Sequence, residues 1–115
     1  MSRTFENPEP ISRANAEAQL RSTDSATRVK TLLSTAYHDD DWRWVQDRCL
    51  AMLDDPHVDV RAMAALCLGH LARIHHRLEL DRVVPALTAL LDTAVVGSRA
   101  RDALDDIEIF VTGPH

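Results

Sequence analysis

The chain predicts a single all-α domain of about five to six helices. Three observations carry that expectation. Alanine and leucine lead an apolar fraction of 45% that includes only five aromatic residues, a composition favouring helix over strand. Apolar side chains recur at three- and four-residue spacing through most of the length. A pattern of short helix, aspartate turn and alanine-rich second helix also returns at an offset of 38 residues. At 115 residues the chain is long enough to bury roughly two-thirds of its unfolded surface without a metal or disulfide.

Residues 1–11 carry two prolines and little pattern, so they form a loose leader, with Phe5 or Ile11 available to tuck against the body. A short helix follows from Ser12 to Leu20. Between Ser25 and Tyr37, Val29, Leu32, Leu33 and Ala36 keep helical spacing. The polar run His38-Asp39-Asp40-Asp41 ends that helix and offers Asp41 as the cap of the next. At 100° per residue, Trp42, Val45, Cys49, Met52 and Leu53 then make one stripe, whereas Trp44 falls beside Asp47, Arg48 and Ala51.

Asp54-Asp55-Pro56 makes a turn into a helix from Val58 to about His75. No charged residue stands between Arg61 and Arg73, so this helix is covered on most sides and forms the centre of the core. Its small residues Ala62, Ala65, Gly69 and Ala72 cluster on a face that lets a neighbour come close. Leu78 to Arg82 links to a helix ending near Leu91, and an interior proline would clash with the preceding carbonyl, which places Pro85 in its first turn. The last helix runs from Val96 to Phe110 on a core stripe of Ala100, Ala103, Leu104, Ile107 and Val111. The helical domain thus spans residues 12–111, with 112–115 as a tail.

The formal net charge of −5 argues against nucleic acid or an anionic membrane as partner, since both demand a concentrated positive surface. A basic protein partner fits better. Cys49 and Cys67 lie on apolar stripes with no CxxC, and reduced core thiols are expected. The start MSRTFENPEPIS has no signal-like apolar run and no segment is long enough to span a bilayer, so the expected compartment is the cytoplasm.

The repeat aligns residues 50–66 with 88–104, pairing Leu53 with Leu91, Asp54 with Asp92, Val58 with Val96, Arg61 with Arg99, Ala62 with Ala100, Ala65 with Ala103 and Leu66 with Leu104. Val60-Arg61-Ala62-Met63-Ala64-Ala65-Leu66 resembles the opening of the second helix in the HEAT-repeat superfamily; Gly97-Ser98-Arg99 is a weaker copy, lacking the valine before the arginine. The resemblance spans about residues 41–110 as two helix pairs, with Ser25–Tyr37 as the remnant of a third. It implies an α-α superhelix of HEAT-like helical hairpins, in which Asp54 or Asp55 pairs near Arg61 and Asp92 near Arg99. So short an array needs capped ends.

The longer string from YHDDDWRW to ALDDIEIF is also similar to small bacterial HEAT-type immunity proteins of polymorphic or contact-dependent growth-inhibition toxin systems. That resemblance, together with two acidic surfaces, implies a monomer within a heterodimer that occludes the active site of a basic, nuclease-type toxin, and no catalytic set among the residues points to an enzyme. A HEAT-repeat adaptor on a larger assembly is the other reading.

Two acidic groups are the candidate partner-binding residues. Asp102, Asp105 and Glu108 lie opposite the core stripe of the last helix with Asp106 beside them. A solvated cap explains them, and Ile109 in their midst also suits a contact with a basic partner. Asp39, Asp40 and Asp41 precede Trp44; they serve either as cap and solvated turn or as a recognition patch. Trp44 itself is either an interface anchor or packed on the N-terminal segment. No cofactor is expected. The acids lack EF-hand spacing, the six histidines lack an i, i+4 pair, and no phosphate loop or GxSxG occurs.

Overall fold

The structure, a computed structural model, describes residues 9–113. Phe5 and residues 114–115 of the tail lie outside the described residues. Six α-helices follow one another: α1 (Arg13–Leu20), α2 (Ser25–His38), α3 (Trp42–Met52), α4 (Val58–His75), α5 (Leu80–Thr88) and α6 (Val96–Ile107), the last running into a π-helical turn at Glu108–Thr112. No strand occurs among the described residues.

The helices pair as three hairpins, α1 with α2, α3 with α4 and α5 with α6, and α4 packs against α2 on one side and α6 on the other. The remnant expected at Ser25–Tyr37 is therefore the second helix of a full pair whose first helix is short. Central placement of α4 follows from its uncharged stretch: Val60, Ala64, Ala65, Cys67, Leu68, Gly69, Leu71 and Ala72 are all buried. At Gly69 the backbone of α6 comes close. A methyl group there would lie 3.1 Å from the Ala103 Cα. On α6 the buried residues include Ala100, Ala103 and Ile107, with Leu104 and Val111 partly covered.

Local capping sets the element starts. Ser12 accepts the Asn15 N–H at 3.2 Å to open α1, Asp41 accepts the Trp44 N–H at 3.2 Å to open α3, and the His57 Nδ1 accepts the Asp59 N–H at 3.2 Å to open α4. The end of the leader is held, because the Ser34 hydroxyl donates to the Glu9 carbonyl.

Four expectations are corrected. Pro85 is not in a first turn, because α5 begins at Leu80 behind Glu79 and the proline falls sixth in the helix. What sets that start is the buried Gln46 amide of α3: its Oε1 accepts the Glu79 N–H at 2.7 Å and its Nε2 donates to the Glu79 carboxylate at 2.7 Å. The Asp55 carboxylate pairs not with Arg61 but with Arg28 of α2, at 3.0 Å from both Nε and Nη2, while Arg61 donates to the Asp55 carbonyl at 2.7 Å. No ion pair joins Asp92 to Arg99, both exposed, among the described residues. Finally, the α-helical stretch of the last element stops at Ile107, beyond which the backbone widens until Gly113.

Gly113 and Gly97 occupy places that admit no side chain. A methyl at Gly97 would stand 2.4 Å from the Leu91 carbonyl oxygen, which explains the glycine in the weaker copy of the repeat: α6 starts pressed against the turn that follows α5. Just before it, Val95 holds φ 67° and ψ −59°, and the Val96 N–H donates to the Ala94 carbonyl at 2.7 Å. This is a strained γ-turn on a β-branched residue.

Candidate protein-binding face

The second helices of the hairpins, α2, α4 and α6, form one row, and its C-terminal end gathers most of the candidate residues. Tyr37, next to last in α2, stacks on His70 of α4 with ring centroids 4.4 Å apart and planes 13° from parallel. One turn on, Arg73 of α4 pairs with Asp106 of α6 at 2.5 Å. His76, at the left-handed residue ending α4 with φ 56°, meets Phe110 edge-on and lies 3.1 Å from its carbonyl oxygen. The three helices are thus laced together at this end. Burial, then Arg73 and His75, lower the pKa of His70, so the imidazole under Tyr37 is neutral at physiological pH.

The acids of the last helix divide. Asp102, Asp105, Glu108 and Ile109 are exposed, and among the described residues none of the three acids makes an ion pair. Asp106 is different: it is spent on Arg73, against the gap above Gly69.

The second acidic group divides too. Arg13 of α1 reaches Asp39 at 3.2 Å and Asp41 at 3.4 Å. Asp41 also caps α3, and the Trp44 N–H it accepts, with Arg13 beside it, lowers its pKa. Only Asp40 of the three stands exposed without a salt bridge among the described residues.

Trp44 is not an exposed anchor. Its indole N–H donates to Glu17 of α1 at 3.2 Å, the Arg13 guanidinium lies 4.3 Å from its ring centre, and it packs on the core. Packing on the N-terminal segment is the alternative realised, because the first hairpin needs an apolar surface to close on. The other tryptophan, assigned to the core stripe, is half-buried: Trp42 lines a shallow open depression of about 470 Å³ with Arg43, His76, Arg77, Leu78 and Val111. Sequence reasoning missed Tyr37, Ile74 and this depression. Tyr37 and Ile74 lie in the last turns of their helices, where apolar spacing no longer separates a core residue from an exposed one.

Cys49 and Cys67 are free and buried, and the hydrogen bond between the Cys49 thiol and the Cys67 sulfur, together with burial, pushes the Cys49 thiol well above the ordinary range, which leaves it unreactive. Among the described residues no group of three or more His, Cys, Asp or Glu side chains is arranged to hold a metal ion. No helix among them is long and apolar enough to cross a membrane.

Stacked hairpins with a laced, partly acidic end define a helical-repeat protein. Comparison with known proteins agrees: the HEAT repeat family model matches residues 45–75. The chain is also 33% identical to a chain in the crystal structure of a CDI complex from Cupriavidus taiwanensis LMG 19424, covering 95% of this chain and 98% of that one with a TM-score of 0.83. It belongs to the same family as that chain, a family of HEAT-type helical hairpins. No curated protein matches it significantly.

Proposed function

We propose that this protein is the immunity partner in a contact-dependent inhibition system, binding a cognate toxin domain and neutralising it by covering its active site. The observation that carries the proposal is the end-to-end likeness, at 33% identity, to a chain of a CDI complex. The exposed acids Asp40, Asp102, Asp105 and Glu108, on a chain of net charge −5, support a basic partner. A nuclease suits that description, because a surface built to hold a phosphate backbone attracts carboxylates and is blocked by them.

The test pairs the purified protein with the cognate contact-dependent inhibition toxin domain from its own cells. Expected are a one-to-one complex, loss of the toxin's activity on DNA or RNA, and an association rate that falls steeply as salt rises. A complex that forms at the same rate at low and high salt would remove the basic-partner part. Failure to bind or to protect cells from the toxin would overturn the immunity reading. Recovery of the protein from cell extract only in a large assembly, unaffected by Asp105→Arg, would favour an adaptor.

A further inference from the structure

Among the described residues, four large apolar side chains are strongly exposed: Tyr37 at 48%, Ile74 at 56%, Val95 at 61% and Ile109 at 61%. Three of the four fall at the C-terminal ends of the second helices, one per hairpin. Tyr37 is next to last in α2, Ile74 is next to last in α4 and Ile109 is the second residue after α6. Their proximity comes from the contacts between the helices. Tyr37 lies on His70, one helical turn before Ile74, and Arg73, next to Ile74, holds Asp106, three residues before Ile109.

We infer that Tyr37, Ile74 and Ile109 form the apolar centre of the toxin-binding surface, with Asp102, Asp105 and Glu108 as its acidic rim. The inference rests on the immunity reading and adds where and through what the partner is held. The arrangement has the form of a protein interface, an apolar and aromatic centre surrounded by charge that steers the approach. Its occupant is a basic protein surface presenting an apolar side chain towards Ile74, with lysines or arginines around it to meet the acids. Arg73 does not oppose such a partner, because Asp106 already neutralises it; Arg77 and Arg101, both exposed, mark the edges where basic groups of the partner are excluded.

Tyr37 is set for the leading role. The stack on neutral His70 fixes its ring before binding, so little side-chain freedom is lost when a partner covers it. The inference gives Tyr37 the anchor role that the sequence left open for Trp44, which packs within the first hairpin's reach on Glu17 and Arg13.

The experiment measures binding of the cognate toxin domain by calorimetry to the wild type and to Tyr37→Ala, Ile74→Glu and Ile109→Glu, with circular dichroism confirming that each variant is folded. Asp81→Arg, an exposed change on α5, serves as control. Expected are losses of about tenfold or more for each of the three and little change for the control. Hydrogen exchange gives an independent readout: amides of residues 70–77 and 105–112 should slow in the complex.

Wild-type binding with all three variants and these amides unaffected would overturn this surface and leave the immunity reading standing. No binding by the wild type would overturn both. A wild type that forms its own dimer, dissolved by Ile74→Glu while toxin affinity is unchanged, would show the surface to be a self-contact and also overturn the inference.

Discussion

Removing Arg28 should unsettle the joint between the first two hairpins, and the size of the effect follows from the geometry. Its guanidinium makes two hydrogen bonds of 3.0 Å to Asp55 and a third of 2.7 Å to the Ser22 carbonyl. The side chains are only 12% and 8% exposed. In Arg28→Met the Asp55 carboxylate keeps the His57 N–H at 2.9 Å but loses its counter-charge. Breaking such a pair costs about 3–5 kcal/mol when the stranded charge is buried. An upper limit comes from the escape route of taking up a proton: from an ordinary pKa of about 3.9 to pH 7 that costs about 4.2 kcal/mol. Water reaching the 8% of Asp55 that is exposed lowers the expected loss at pH 7 to about 3 kcal/mol.

The pH dependence has a definite sign. Burial raises the Asp55 pKa, but the bonds from Arg28 and His57 outweigh it and the net shift is downward. A depressed carboxyl pKa contributes stability that is full above about pH 4 and is lost as pH falls through the folded-state value. Without Arg28, burial is left to raise the Asp55 pKa, so the deficit of Arg28→Met should shrink as pH falls from about 7 towards about 4, where Asp55 protonates in the variant at little cost. Urea denaturation of wild type, Arg28→Met, Asp55→Asn and the double variant, at about pH 7 and pH 3.5, reads this directly. Additive losses in the double variant, or an Arg28→Met deficit unchanged between the two pH values, would refute the reasoning.

Three other perturbations test the framework. Gly97→Ala should cost about 2 kcal/mol in urea denaturation despite alanine's better helix propensity, because its methyl meets the Leu91 carbonyl at 2.4 Å and backbone cannot step aside. Val95→Gly relieves the positive φ at a 61% exposed position, so it should raise stability by up to about 1 kcal/mol, the strain released exceeding glycine's entropy. Gln46→Ala takes the acceptor from the Glu79 N–H and should lower the thermal midpoint by roughly 4–8 °C, well beyond the exposed change Thr88→Ala.

The fold was legible in the sequence because its determinants are local or repeated. The uncharged run of α4, the cap at Asp41 and the period of 38 residues each constrain a neighbourhood of a few turns. Residue fates depending on partners 26 to 33 positions away were not legible. Asp55 meets Arg28, Asp106 meets Arg73, Asp39 meets Arg13 and Gln46 meets Glu79 across hairpins, and spacing within one helix says nothing of which charge another helix will offer. Trp44 shows the limit best. Its place off the stripe was visible, but whether α1 or solvent covered it depended on how the first hairpin closed.

The division of labour between Asp106 and the acids around it has an evolutionary side. Asp106 fastens α6 to α4 above Gly69, whereas Asp102, Asp105 and Glu108 are exposed and make no ion pair among the described residues. Substitutions at those three positions are therefore nearly free with respect to folding, and so are those at Ile74 and Ile109. Under the immunity role proposed above, a lineage can rewrite them one at a time to follow a changing toxin without passing through an unfolded ancestor, while Gly69, Gly97, Gln46 and Arg28 are held still by the scaffold. Sibling proteins with one backbone and mutually exclusive partners are the expected product.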